Sequence, residues 1–210
     1  MRLRNWMGLG RALAVAAAVG CGGDGNPSGG DGSFETVTLG GLKWMVKNLD
    51  VQTADSWCYG EGGEADVDGE LKTLSSSEIQ ANCAKYGRLY TWEAAKRACQ
   101  SVGKRLPTRE EWAALVTAAG GSSAGKKLKS TSGWNSNGNG TNDYGFSALP
   151  GGRRESGGFF FEVGNLGYWW TATENGSIGA YFRNMHYDYD NVGEGNDFRS
   201  YGFSVRCLHD

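Results

Sequence analysis

The chain has 210 residues, enough for one domain with a real core, and its net charge of −2 gives no reason to expect nucleic acid as a partner. Aromatic residues make up 12% of it, which excludes a disordered chain. Its 35 glycines are more than twice the usual share of about 7%, so short irregular strands and long ordered loops are expected.

Residues 1–20 read as a signal peptide. Arg2, Arg4 and Arg11 supply positive charge ahead of a short apolar run, Ala12 to Val19, too short to span a bilayer. Ala18-Val19-Gly20-Cys21 resembles a bacterial lipobox, with Ala18 standing where Leu is usual, and makes Cys21 the expected lipidated N-terminus. Residues 21–33 then form a Gly-rich tether without a residue able to join a core, reaching roughly 20 Å. Loss of the three arginines on cleavage takes the net charge from −2 to −5. The expected address is the cell envelope, held to the outer membrane by lipid and facing periplasm or exterior.

The domain occupies 34–210. Val37 and Leu39, then Leu42, Trp44 and Val46, alternate with polar neighbours across Gly40-Gly41 and predict a β-hairpin. Asp55 to Tyr59 is a short extended piece, Glu61 to Glu70 an acidic insertion, and a helical turn is expected within Leu71 to Ala84. Two helices follow as the only substantial ones. Thr91 caps the first, with Trp92, Ala95, Cys99 and Val102 on its apolar face and Gly103 as its stop. Thr108 and Glu111 form the capping box of the second, whose apolar face is Trp112, Leu115, Val116 and Ala119. Beyond Gly121 the chain reads as loop anchored by Phe146 and Leu149. Phe159 to Glu162, Gly167 to Thr173, Ala180 to Asn184 and Gly202 to Cys207 read as closing strands.

Four cysteines remain in the domain, an even count that in an exported chain implies disulfides. Of three pairings, we favour Cys58–Cys83 and Cys99–Cys207. The chain-entropy model gives the first roughly 3 kcal/mol and the second, closing a far longer loop, nearer about 4.7. A zinc site is disfavoured, because the cysteine spacings are too long and only His186 and His209 are available.

The segments Gly41-Leu42-Lys43-Trp44-Met45, Trp57-Cys58-Tyr59, Asn82 to Trp92, Arg105-Leu106-Pro107-Thr108, Tyr144 to Gly152, Trp170 to Glu174 and Gly202 to Cys207 resemble, in order and spacing, the Fibrobacter succinogenes major paralogous domain. That resemblance implies an exported, often lipid-anchored bacterial protein. It implies an α+β fold related to the C-type-lectin and formylglycine-generating-enzyme group: two helices packed on short irregular antiparallel sheets with long loops, stabilised by disulfides. A helix cysteine joined to a final-strand cysteine is the long-range bridge of such lectin-like domains, in agreement with Cys99–Cys207. The family carries over no catalytic residues.

No stretch supports a reaction. Gly121 to Gly125 matches G-x-S-x-G but follows a helix rather than a strand, and Gly120 to Lys127 lacks the P-loop hydroxyl. The formylglycine-generating chemistry needs an unpaired cysteine pair, and these cysteines have structural uses. Glu64, Asp66 and Asp68, followed by Gly69, match weakly the opening of a calcium loop, whose twelfth position would be Ser75 rather than Glu. No cofactor is otherwise implied. A binding role rests on residues 176–199, where Tyr181, Arg183, His186, Tyr187, Tyr189 and Arg199 lie among Asn, Asp and Gly. Tyr and Arg make rigid or forked contacts, and aromatic rings stack on sugar faces. The expectation is a monomeric surface lipoprotein binding an extracellular glycan or protein. The alternatives are a structural envelope module and an oxidoreductase of the formylglycine-generating type.

Overall fold

A computed structural model describes residues 34–209, a mixed α+β domain; the expected signal peptide, the Cys21 lipidation site and the expected tether lie outside the described residues. The expected hairpin is β1 (Thr36–Leu39) with β2 (Leu42–Met45), and Val37 pairs with Trp44 across it. β2 also pairs with the last strand, β12 (Leu208–His209), so the start and end of the domain share one sheet.

β3 (Ser56–Trp57) pairs with β6 (Leu89–Tyr90). The acidic insertion is a second hairpin, β4 (Glu64–Val67) and β5 (Glu70–Thr73). Its turn is Asp68-Gly69, both at positive φ (56° and 85°), the Asp-Gly pair that two-residue hairpin loops favour. The segment expected to hold a helical turn is α1 (Ser76–Tyr86), a full helix of 11 residues. Ser75 and Glu78 close its capping box. It buries only Tyr86, so hydrophobic periodicity does not announce it.

α2 (Trp92–Ser101) is capped by Thr91 and buries Trp92, Ala94, Ala95, Ala98 and Cys99. α3 (Arg109–Ala118) opens with the Thr108–Glu111 capping box and buries Trp112 and Leu115. A 3-10 turn and the short α4 (Ala124–Leu128) follow. The rest is less loop-like than expected. β7 (Gly151–Arg154), β8 (Phe160–Val163), β9 (Leu166–Asn175), β10 (Gly179–His186) and β11 (Gly193–Phe198) join β4 and β5 in one sheet of seven strands, ordered β11-β10-β9-β7-β8-β4-β5. The sheet is not wholly antiparallel: β4 meets β8, and β7 meets β9, in parallel. Residues 202–207 form isolated bridges rather than a continuous strand, with Phe203 opposite Tyr90 and Ser204 beside Trp169.

Adjacent residues of β9 point to opposite faces, as strand geometry requires, and serve two cores. Trp170 joins Trp92, Tyr90, Phe203 and α2, while Trp169 joins Trp44, Trp112, Phe146 and α3. Cys99–Cys207 lies in the first of these cores with both residues closed to solvent. Cys58–Cys83 ties β3 to α1. Both pairings are those favoured from the sequence. No described helix is long and apolar enough to cross a membrane.

Candidate functional site

β10 ends at His186, and residues 187–192 carry the chain across to β11. A sequence this polar would ordinarily leave such a connection to solvent. Here it is fixed from beneath by Lys129, only 1% exposed, whose Nζ donates to the carbonyl oxygens of His186 (3.0 Å), Tyr187 (3.1 Å) and Tyr189 (3.1 Å). Burial lowers the Lys129 pKa, and the nearby Asp190 and Asp188 carboxylates oppose that shift. The chain also packs closely on α4 and on the loop after it. A Cβ at Gly125 would meet Asn191 O at 2.3 Å, and one at Gly138 would meet Tyr187 O at 2.2 Å, so both positions need glycine. The Lys126 amide donates to Asp190 O at 3.0 Å and the Tyr187 amide to Asn165 O at 2.9 Å.

On this support three rings form a ledge. The His186 ring lies 4.6 Å from Tyr187 at 32° and 5.0 Å from Tyr189 at 34°. Tyr187 leans on the Trp112–Trp169 core, whereas Tyr189 is 59% exposed. The Asp188 carboxylate contacts His186 Nδ1. This contact orients the His186 ring.

The other expected contact residues serve inside the fold. Arg183 is 8% exposed; it pairs with Glu194 and its Nη2 donates to Arg109 O at 3.3 Å. Arg109 itself lies 4.4 Å over the Tyr181 ring and pairs with the same Glu194. Its hydrogen bonds to Arg109, aided by the Arg183 charge, hold the Glu194 carboxyl below the usual range. Arg199 sits 4.4 Å over Trp92, donates to Gly179 O and Gly176 O at 3.0 Å each, and pairs with Glu174 at 3.1 Å. Arg199 thus spends its donors on protein oxygens, and Arg183 spends Nη2 on Glu194 and Arg109 O while its buried Nε has no hydrogen-bond partner. The ledge keeps His186, Tyr187 and Tyr189 from the expected stretch and stacks them together. The sequence contains no signal for Lys129 as their anchor, since a single lysine in a Lys-rich stretch reads as surface.

Glu64 and Asp66 lie on β4 and Asp68 in the turn, an arrangement unlike a calcium loop; Asp66 Oδ1 accepts from the Gly69 amide at 2.8 Å. Among the described residues no group of three or more His, Cys, Asp or Glu could hold a metal. Asp66 and Asp68 instead line an open polar cleft of about 350 Å³ with Lys85, Asn135, Glu162 and Asn165. Asn165, through its bond from the Tyr187 amide, joins this cleft to the ledge.

A family model, the Fibrobacter succinogenes major domain, matches residues 37–209. No curated protein and no solved structure matches the chain.

Proposed function

Because the chain belongs to the Fibrobacter succinogenes major domain family, we propose that it is a cell-envelope lipoprotein, anchored through Cys21, whose domain binds an extracellular ligand such as a polysaccharide. The single observation that carries the binding role is the ledge of His186, Tyr187 and Tyr189 on a backbone clamped by Lys129. Rings held in place before binding lose little freedom when a sugar face stacks on them. The neighbouring cleft, with its amides and carboxylates, suits hydroxyl groups. The reading is of a monomeric binding module rather than an enzyme. A lectin-like arrangement is supported by the bridge from α2 to the end of the chain.

The test is a glycan array on the 34–210 domain beside its Tyr189→Ala variant. We expect a glycan that the wild type retains and the variant loses. Retention of every bound glycan by Tyr189→Ala, or no bound glycan at all, would sink the reading in favour of a structural envelope module. For the anchor, Cys21→Ser should release the full chain from the membrane fraction; unchanged fractionation and mass would refute it.

A further inference from the structure

The two disulfides have unlike surroundings. Cys99 and Cys207 are closed to solvent among Tyr90, Ala95, Leu106 and Val205. Cys83 is partly exposed on α1, and Cys58, 6% exposed, lies behind it. Across this second bond lies Arg88, itself 6% exposed: its Nη1 is 3.2 Å from Cys58 Sγ and 3.7 Å from Cys83 Sγ. The guanidinium is locked by Nε to Ser56 Oγ at 3.1 Å, and by Nη2 to Ser56 O at 2.9 Å and Glu61 Oε2 at 2.8 Å. Glu61 also accepts from the Cys58 amide at 2.8 Å. The carboxylate thus meets Arg88 at Nη2 and leaves Nη1 for the sulfurs.

We propose that Cys58–Cys83 is a thiol–disulfide exchange site, opened by an external dithiol that attacks Cys83 and expels Cys58. The asymmetry has two causes. Cys83 is the more accessible sulfur, and it stands in the last turn of α1, where the helix dipole disfavours a thiolate. Cys58 faces a fixed N–H donor that stabilises sulfur as it gains charge, and a stabilised thiolate leaves faster. In the first step a thiolate of the dithiol bonds to Cys83 Sγ, the Sγ–Sγ bond breaks, and its electron pair goes to Cys58 Sγ beside Arg88. In the second step the other thiolate of the dithiol attacks its own partner sulfur in the mixed disulfide, and Cys83 leaves as thiolate and takes a proton. Two electrons pass to the cystine, and the dithiol becomes a disulfide. The loop so released, residues 58–83, carries β4, β5 and most of α1, and with them Asp66 and Asp68 of the polar cleft.

The whole chain is treated with dithiothreitol or, for short times, with glutathione, a monothiol whose first product is the mixed disulfide, then alkylated and peptide-mapped. Cys58–Cys83 should open at least about tenfold faster than Cys99–Cys207. The glutathione adduct should sit on Cys83, with Cys58 alkylated. Arg88→Met should slow opening about tenfold, and Arg88→Lys less. Equal rates for the two disulfides, an adduct on Cys58, or wild-type rates in a folded Arg88→Met each overturn the proposal. Should Arg88→Met not fold, the wild-type rate ratio and adduct position decide alone.

Discussion

Arg206 Nε donates to Asn48 Oδ1 at 2.7 Å inside the domain, and Trp169 Nε1 donates to the same oxygen at 2.9 Å. The rest of the guanidinium bonds the carbonyls of Met45 (2.8 Å), Phe146 (2.7 Å) and Ser147 (2.9 Å). Arg206 is wholly buried, and burial pulls its pKa down to about 9, still well above neutral. Its partners are all neutral, so oriented dipoles compensate the charge. A planar fork with several donors is required, which lysine cannot supply. Arg206→Lys should therefore cost about 3 to 5 kcal/mol in chemical denaturation. A loss below about 1 kcal/mol would show the network to be dispensable.

Lys129→Met leaves three carbonyls of the ledge without their shared donor. We expect a stability loss of roughly 1 to 3 kcal/mol. The sharper readout is hydrogen exchange, because amides of residues 187–191 should lose protection before those of β9. Unchanged protection there would mean that Gly125 and Gly138 packing alone fixes the loop.

Glu194 joins Arg109 and Arg183, and its carboxyl is held below the usual range. A carboxylate with a depressed folded pKa contributes stability that is full above its unfolded value, about 4.3, and is lost as pH falls through the folded value. Glu194→Gln should thus cost roughly 1 to 2 kcal/mol at neutral pH, partly because Arg183 is left buried and unpaired. The gap between variant and wild type should close below about pH 4. Melts across pH 3 to 7 check this; a gap independent of pH contradicts it.

Tyr189→Ala and Arg183→Ala should behave oppositely, since Tyr189 is 59% exposed and Arg183 8%. The first should leave the melting temperature within about 0.5 kcal/mol equivalent, whereas the second should cost about 2 kcal/mol or more. Calorimetry of both variants decides it, and equal losses would place Tyr189 in the core.

The parts legible in the sequence are those whose signals are local. Thr91 and Thr108 announce α2 and α3 through their caps, and alternation around Gly40-Gly41 announces the first hairpin. β7 (Gly-Gly-Arg-Arg) and β11 (Gly-Glu-Gly-Asn-Asp-Phe) carry almost no apolar alternation; they are strands because β8 and β10 supply their hydrogen bonds. α1 was signalled only by Ser75 and Glu78, because its exposed surface lacks an apolar stripe. In the site, Tyr187 and Tyr189 were legible by residue type. The engagement of Arg183 and Arg199 was not, since their partners Arg109, Glu194, Glu174 and Trp92 come together only in three dimensions.

Trp44 pairs with Val37 on one side and with Leu208 on the other. Two strand spacings, roughly 10 Å, therefore separate the first strand of the domain from its last. β1 and β12 both run antiparallel to β2, so they are parallel to each other. A domain whose ends emerge so close together behaves as a cassette: it can be duplicated in tandem, or spliced into the loop of another protein, without threading or reshaping either host or insert. It can also be circularly permuted, with a crossover of about a dozen residues returning the chain from 209 to 36, as parallel neighbours require, and new ends cut at the exposed Asp68-Gly69 turn.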